Sequence, residues 1–170
     1  MIGIPIGIAY ASLAEWLIHK HVLHDLGRKP GSFFQYHWLH HRNAKLNGLI
    51  DEDYRKPLGG WNGQTKEVAS LLGAAALHLP LLPVAPFFTC TLFAWAVRYW
   101  VRHRHAHLDP NWAREHLPWH VDHHLNRNQN ANWGVTQDWW DRILGTRETG
   151  EPHSGQSEAS SSMEPGAYPA

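Results

Sequence analysis

The feature that most constrains this chain is a motif that occurs twice, a histidine followed three and four residues later by two more histidines. The two copies are His37, His40 and His41, and then His120, His123 and His124. On a helix, this spacing places all three imidazoles of a copy on one face. The chain is therefore expected to be helical wherever the motif lies.

Most of the fifteen histidines belong to four clusters along the chain. The other two clusters contain His19, His21 and His24, and then His103, His105 and His107. Imidazole is the commonest side-chain ligand of zinc, iron, copper and nickel, and it is largely neutral at pH 7. Together the four clusters predict a metal centre.

The spacing within a cluster indicates which histidines can share an ion. Neighbouring residues of a helix point about 100 degrees apart, so each copy of the doubled motif can serve two nearby ions. His103 and His107 lie one above the other and can share a site. His105 points away from them on a regular helix.

The first cluster has the least regular spacing. On a regular helix His19 and His24 point about 140 degrees apart, so their pairing requires the helix to end or bulge there. His21 paired with His24 is the alternative. The sequence leaves open whether His21 or His105 replaces another histidine of its cluster.

The number of clustered histidines favours two ions. Ten imidazoles suit two ions with about five ligands each, whereas a zinc hydrolase needs three ligands and haem needs one or two. The surplus predicts a dinuclear, redox-active centre with iron as the expected metal. Because imidazole carries no negative charge, carboxylates behind the ligands are expected to offset the charge of the ions, with Glu15, Asp122 and Asp141 as candidates.

Composition excludes several other classes of protein. The single cysteine, Cys90, can form no internal disulfide and cannot build a cysteine-based zinc or iron–sulfur site. Fifteen basic and fifteen acidic residues balance, so the chain has no net field to attract nucleic acid, and no nucleic-acid partner is expected. A length of 170 residues fits one domain.

A long uncharged run suggests contact with a membrane. Residues 68–97 contain no Asp, Glu, Lys or Arg, but Pro80, Pro83 and Pro86 divide the run into two short helices. These pieces predict a hairpin that dips into the bilayer, or two short tilted spans. Basic residues flank both ends, namely Lys66, Arg98, Arg102 and Arg104, so both ends are expected on the cytoplasmic side.

The remaining segments are less specific. Residues 1–18 predict an apolar helix that is marginal as a span, or a buried helix of a soluble protein. The acidic loop around Asp51 either closes over a site or is a solvated linker. The lone His78, in the apolar run, is expected to be a hydrogen-bonded core residue. The segment NWGVTQDWWDRILGT either packs against the metal helices or lies at a membrane interface. Residues 148–170 are expected to be disordered, with His153 not a ligand.

Together these patterns predict an all-α fold. The expected architecture is a membrane-embedded or monotopic helical bundle with an apolar helical hairpin and a histidine-rich metal-binding cap that faces the cytoplasm. Residues 1–147 form its single domain.

The order of the motifs resembles that of the fatty acid hydroxylase and sterol desaturase superfamily of membrane di-iron oxidoreductases. It runs H-x4-H, H-x2-H-H, an apolar hairpin, H-x3-H and H-x2-H-H, and NWGVTQDWWDRILGT follows. The resemblance covers about residues 12–147. The four histidine motifs in this order, with the closing segment, carry it.

The resemblance implies ten metal ligands and an O2-dependent reaction. The ligands are His19, His24, His37, His40, His41, His103, His107, His120, His123 and His124. Members of the family hold two irons, for which zinc can substitute in purified protein, and they hydroxylate or desaturate a lipid C–H bond. Electrons come from a separate protein such as cytochrome b5 or a ferredoxin, and here hydroxylation of an acyl chain, sterol or related isoprenoid is expected.

Three other functions are weighed against this one. A carotenoid hydroxylase shares the chemistry and the four histidine motifs, although the closing segment favours the fatty acid and sterol group. A non-catalytic membrane metal-binding protein would bind metal and oxidise no lipid. A soluble zinc hydrolase would carry one ion per chain.

Overall fold

A computed structural model describes residues 1–150, and these contain helices and no strand, which confirms the all-α prediction. The α-helices are α1 (Gly3–Leu17), α2 (Gln35–Leu46), α3 (Gly63–Ala76), α4 (Pro86–Leu108), α5 (Pro110–His116), α6 (Pro118–Leu125) and α7 (Trp139–Ile143). A π-helical segment, Ile18–Leu26, continues α1, and 3-10 turns lie at Glu52–Arg55 and Leu79–Leu81. Residues 151–170, which make up most of the tail predicted to be disordered and include His153, lie outside the described residues.

Prolines determine where three of the helices begin. Pro86, Pro110 and Pro118 are the first residues of α4, α5 and α6. Proline is favoured at this position because its fixed φ suits a helix and its missing N–H has no intrahelical partner there. The apolar run is accordingly divided into α3 and α4, which pack against each other, so the predicted helical hairpin is present.

Helix α1 lies close against α4 because two of its residues have no side chain. A Cβ atom on Gly7 would lie 2.8 Å from the Cβ of Thr91, and one on Gly3 would lie 2.9 Å from the backbone N of Phe88. Beyond this contact, Ala11 packs with Leu92 and Trp95. This packing brings the C-terminal end of α1 beside the middle of α4.

The interior beyond that point consists largely of imidazole. Leu49, Ala106, Leu117 and Val121 belong to a small apolar cluster. Most of the largest fully buried side chains are histidines, namely His19, His24, His41, His103, His107, His120, His123 and His124. The ends of α1 and α4 therefore meet α2 and α6 around buried rings rather than around a large aliphatic core.

The opposite end of the bundle carries exposed apolar side chains. They come from the start of α1 and from the connection between α3 and α4, and they include Ile2, Ile6, Leu77, Leu79 and Val84. The two sets are neighbours, since a Cβ atom on Gly3 would lie 2.9 Å from the backbone N of Phe88 and 3.2 Å from the Cβ of Phe87 at the start of α4. Among residues 1–150, no helix combines the length and the hydrophobicity needed to cross a bilayer.

Candidate metal centre

The structure gathers the ten predicted histidines into two adjoining buried groups. Site A contains His19, His24, His37, His41 and His123. Site B contains His40, His103, His107 and His124, and His120 joins it through a 3.0 Å contact between its Nε2 and that of His107. Within site A, and among the first four histidines of site B, the candidate ligand nitrogens lie within 4.8 Å of one another. Each group is able to hold a metal ion.

The π-helical segment explains how the first cluster reaches site A. Because a π-helix forms hydrogen bonds between residues five apart, His19 and His24 lie about one turn apart and face the same side. His21 instead is exposed and contacts Asp25, at 3.0 Å from its Nδ1. The bulge that the spacing required is present, and the alternative pairing of His21 with His24 is not formed.

Each doubled motif divides its histidines between the two sites. On α2, His41 belongs to site A and His40 to site B, and on α6, His123 belongs to site A and His124 to site B. The ring centroids of His41 and His124 are 4.2 Å apart. The two sites are therefore in direct contact, as expected for a centre that holds a pair of ions.

The third cluster also follows helical spacing. His103 and His107 lie one turn apart on α4 and both face site B. His105 is exposed and stacks on Trp112, with the ring centroids 4.1 Å apart. It therefore does not replace a ligand.

Backbone carbonyls determine the tautomer of three histidine rings. The Nδ1 atoms donate at 2.6 Å to carbonyl oxygens, in the pairs His19 with Trp133, His107 with Leu49 and His123 with Ala131. A carbonyl oxygen only accepts, so each Nδ1 carries the proton and each neutral ring keeps a lone pair on Nε2. These three Nε2 atoms are ready to coordinate a metal ion.

Hydrogen bonds alone cannot satisfy site A. The Nε2 atoms of His24, His41 and His123 form a triangle with each side 3.2 Å long. Each atom presents either one proton or one lone pair, so at least one side of the triangle joins two atoms of the same kind. A cation bound by three lone pairs removes this conflict.

The separations between nitrogens match metal coordination. The Nε2 of His37 lies 3.1 Å from that of His19 and 3.1 Å from that of His41. For ligands at right angles this separation corresponds to a metal–nitrogen distance of about 2.2 Å, close to the 2.0–2.1 Å that is typical of zinc–imidazole bonds. Site A therefore has the dimensions of a transition-metal site.

Unpartnered nitrogens show that site B suits a metal as well. The Nε2 atoms of His40 and His103 and both ring nitrogens of His124 are buried without any hydrogen-bond partner. An unsatisfied buried polar atom costs about 1–3 kcal/mol. A metal ion bound by these nitrogens would remove that cost.

Burial also keeps the rings in the form that binds metal. Loss of water around the ring holds the pKa of His19 at about 4. Burial is likewise the main cause that lowers the pKa of His24, His37, His41, His103, His107, His120, His123 and His124, and repulsion between imidazolium charges adds to it. These rings are neutral at pH 7 and able to coordinate.

Two carboxylates that the sequence analysis did not assign to the centre contact histidines of site B. The Nδ1 of His40 lies 2.7 Å from Asp51, and that of His103 forms a short hydrogen bond with Glu67. Burial raises the pKa of Glu67 to about 8. For Asp51 burial acts in the same direction, but hydrogen bonds, chiefly from His40, outweigh it and lower the pKa. Asp51 lies in the acidic loop that was expected to close over a site or to be a linker, whereas nothing in the spacing of Glu67 marks it.

The three carboxylates proposed from the sequence lie further from the rings. Within residues 1–150 none of them forms a hydrogen bond with a histidine ring. Glu15 accepts from the backbone of Val135 and Thr136, Asp141 from Trp133 and Gly134, and Asp122 from the side chain of Arg147. Glu15 and Asp141 hold the closing segment, and the carbonyl of Trp133 in that segment in turn orients His19.

The start of the closing segment packs against the metal-binding helices. Trp133 is buried, with its ring centroid 4.7 Å from that of His24 and 5.7 Å from that of His123. Of the two placements considered for this segment, packing is the one observed for Trp133, while Trp139 is half exposed. The segment therefore covers one side of site A.

A cavity of about 370 Å³ lies between α1, α3 and α4, directly beside the metal centre. Its walls are mostly apolar and include Leu71, Ala75 and Leu92, while His19 and Glu67 line the end near the histidines. This volume is within the about 300–1,000 Å³ of small-molecule pockets. An elongated apolar molecule in this cavity would have one end next to sites A and B.

His78 lies at the other end of the cavity. Its Nε2 contacts the hydroxyl of Tyr10 at 2.9 Å, and its Nδ1 donates to the carbonyl of Ala74 at 3.0 Å. Both nitrogens are therefore satisfied within the fold. His78 is hydrogen-bonded, as expected, but it is half-buried rather than part of the core, and it does not belong to either metal site.

Comparison of the chain with protein-family models, with curated proteins and with solved structures found no match. The chemistry of the site is therefore inferred from its own residues and their geometry. The site offers two adjoining sets of buried nitrogen ligands at one end of an apolar cavity. These properties suit metal-dependent chemistry on an apolar molecule.

Replacing one of two neighbouring histidines tests the assignment of ligands. His24→Ala removes a nitrogen that contacts two others in site A, and we expect the metal content to fall from two ions per chain to about one. His21→Ala, in the same π-helical segment, changes an exposed ring, and we expect it to keep both ions. Elemental analysis of reconstituted protein, with circular dichroism to verify folding, measures both; equal metal contents would exclude the assignment.

The lowered pKa values predict that the metal-free protein loses stability in acid. In the unfolded chain imidazoles take up protons below about pH 6.5, whereas buried rings such as His19 do not until about pH 4. Stability present above pH 6.5 is therefore lost as the pH falls, and His19 alone contributes a loss of about 3 kcal/mol by pH 4. Circular dichroism should show unfolding between about pH 6 and 4, and added zinc should shift it to lower pH. A metal-free protein that stays folded at pH 3 would contradict this.

Proposed function

We propose that this chain is an O2-dependent di-iron oxidoreductase that hydroxylates a C–H bond of a membrane lipid. The observation that supports this most strongly is the position of two adjoining histidine sites at the end of an apolar cavity. The order of the histidine motifs, which resembles that of fatty acid hydroxylases and sterol desaturases, agrees with it. Hydroxylation of an acyl chain or isoprenoid is the specific form of the proposal.

The ligand set is consistent with a pair of iron ions. Imidazole binds iron, copper, nickel and zinc, and five nitrogens per site exceed what a zinc hydrolase uses. Iron bound in both sites would supply the activation of O2. In the overall reaction one oxygen atom enters the C–H bond, and the other leaves as water with two electrons and two protons. The electrons require a separate donor protein of the cytochrome b5 or ferredoxin type.

The contribution of the chain is to position the substrate and to exclude water. His19 both lines the cavity and belongs to site A, so a carbon at this end of the cavity lies beside the metal centre. From Tyr10 to Leu17 the cavity follows α1 for about 10.5 Å at 1.5 Å per residue, and it continues to His19 in the π-helical segment. A stretch of hydrocarbon chain fits this length, and Trp133 covers the centre from the other side.

The apolar end of the bundle supports a location at a membrane. Exposed side chains at the α3–α4 connection, such as Leu79 and Val84, would enter the lipid, and the basic residues Arg98, Arg102 and Arg104 follow further along α4. This arrangement favours insertion of the hairpin into one leaflet, with the histidines on the cytoplasmic side. In that orientation a lipid chain enters the cavity from the bilayer.

Reconstitution with iron tests the proposed reaction. Protein loaded anaerobically with ferrous iron, then given a reductant, O2 and an extract of lipids, should form products heavier by one oxygen atom, detected by mass spectrometry. Metal uptake without any oxidised product would identify a metal-binding protein, and hydrolysis with one zinc per chain would identify a zinc hydrolase. Oxygenated carotenoid in place of acyl or sterol products would identify a carotenoid hydroxylase.

A matched pair of variants tests the role of the cavity. Ala75→Phe fills part of the cavity, so we expect product formation to fall at least tenfold while both ions remain bound. Ala76→Phe changes the adjacent residue, which is exposed and does not line the cavity, and we expect it to leave the activity unchanged. Equal activities in the two variants would show that the substrate binds elsewhere.

Vesicle flotation tests the proposed location. The double variant Leu79→Asp and Val84→Asp places charge on the apolar end, so we expect loss of co-flotation with vesicles of phosphatidylcholine and phosphatidylglycerol. Leu46→Asp changes a residue that is 72% exposed at the end of α2, and binding should persist. A wild-type chain that does not float with these vesicles would contradict the location.

A further inference from the structure

The two metal sites differ in the groups that orient their ligands. In site A the Nδ1 atoms of His19 and His123 donate to backbone carbonyls, which are neutral. In site B the Nδ1 atoms of His40 and His103 face the carboxylates of Asp51 and Glu67. Within residues 1–150 no carboxylate forms a hydrogen bond with a ring of site A.

Both carboxylates of site B are held in place by other groups. Asp51 accepts from the side-chain amide of Asn43 at 3.2 Å and from the backbone N–H of Asp53 at 3.1 Å. Glu67 accepts from the hydroxyl of Tyr54 at 2.9 Å. Because these contacts fix the oxygens before any metal binds, the carboxylates are positioned for His40 and His103.

This difference matters because both sites lack negatively charged ligands. A divalent ion surrounded by neutral rings in a buried site leaves its charge uncompensated, and transferring that charge from water is costly. A carboxylate behind a histidine ligand offsets part of the charge and makes the ring a stronger donor, an effect of about 10–100-fold in metal affinity. Site B has two such groups, Asp51 and Glu67. Burial favours the neutral form of Glu67 in the metal-free chain, and the positive charge of a bound ion would favour its charged form.

We propose that site B is the high-affinity site, that it fills first, and that the chain has a stable form with one ion held there. Site A then takes up the second ion more weakly and exchanges it more readily. The proposal rests on the two-ion centre proposed above, but it concerns the order of binding and not the reaction. It assigns Asp51 and Glu67 as positioning residues of site B.

A zinc titration of the metal-free chain tests the order of filling. Competition with a chromophoric chelator measures the two dissociation constants, and native mass spectrometry counts the ions. We expect two steps that differ at least tenfold, with a one-ion species dominant at one equivalent of zinc. Two equal steps, or direct passage to the two-ion species, would overturn the proposal.

Single-site variants identify the site that fills first and do not alter the carboxylates. His24→Ala impairs site A and should keep the tight step and lose the weak one. His103→Ala impairs site B and should keep only a weak step. The reverse pattern would assign the high affinity to site A and overturn the proposal.

Carboxylate variants test the physical cause. Glu67→Gln and Asp51→Asn keep the shape of the side chains, and each should weaken the first step about 10–100-fold and leave the second within a factor of three. Asp122→Asn is the control, since Asp122 pairs with Arg147 and, within residues 1–150, forms no hydrogen bond with a histidine ring, and both steps should stay unchanged. Equal effects of all three variants would contradict the assigned role.

These measurements are independent of the proposed reaction because they use zinc and require neither O2 nor lipid. Ordered binding without lipid oxidation in the iron-loaded protein would count against the reaction alone. Lipid oxidation by the iron-loaded protein, together with two equal steps in the zinc titration, would count against the order of filling alone.

Discussion

The structure depends on imidazole nitrogens that are buried facing one another. In site A three Nε2 atoms lie at mutual distances of 3.2 Å, and no assignment of protons satisfies all three pairs. The interior becomes consistent when a cation binds the lone pairs. Because the rings belong to α1 with its π-helical extension, α2, α4 and α6, the same cation would join helices that share only a small apolar core at this end. Metal binding would therefore contribute directly to the stability of the fold.

The two candidate metal sites and the cavity share residues. His19 belongs to site A and lines the cavity, and Glu67 contacts His103 of site B and lines the same cavity. A molecule bound between α1, α3 and α4 would therefore touch groups that belong to the centre or orient it. The close approach of α1 to α4 at Gly3 and Gly7 helps to set the position of this cavity, so a packing feature far from the histidines contributes to placing the cavity beside them.

The closing segment acts through its backbone more than through its side chains. The carbonyls of Ala131 and Trp133 orient His123 and His19, while Glu15 and Asp141 bind backbone N–H groups of the same segment. These two carboxylates thus connect α1 and α7 to the loop that holds site A. The sequence analysis placed them near the centre, and the structure assigns them to support of the loop rather than to contact with the rings.

The sequence by itself determined the helical class, the break of the apolar run at Pro86, and the ability of each doubled histidine motif to serve two sites. These features are local, because helical periodicity and the missing proline N–H act within a few residues. Only the tertiary structure decided that His24 pairs with His19. Both rings contact histidines of other helices, and they face the same side only because the segment that carries them is π-helical. The tertiary structure also decided that Asp51 and Glu67 face site B, because their partners lie 11 and 36 residues away in the chain and no periodicity connects them.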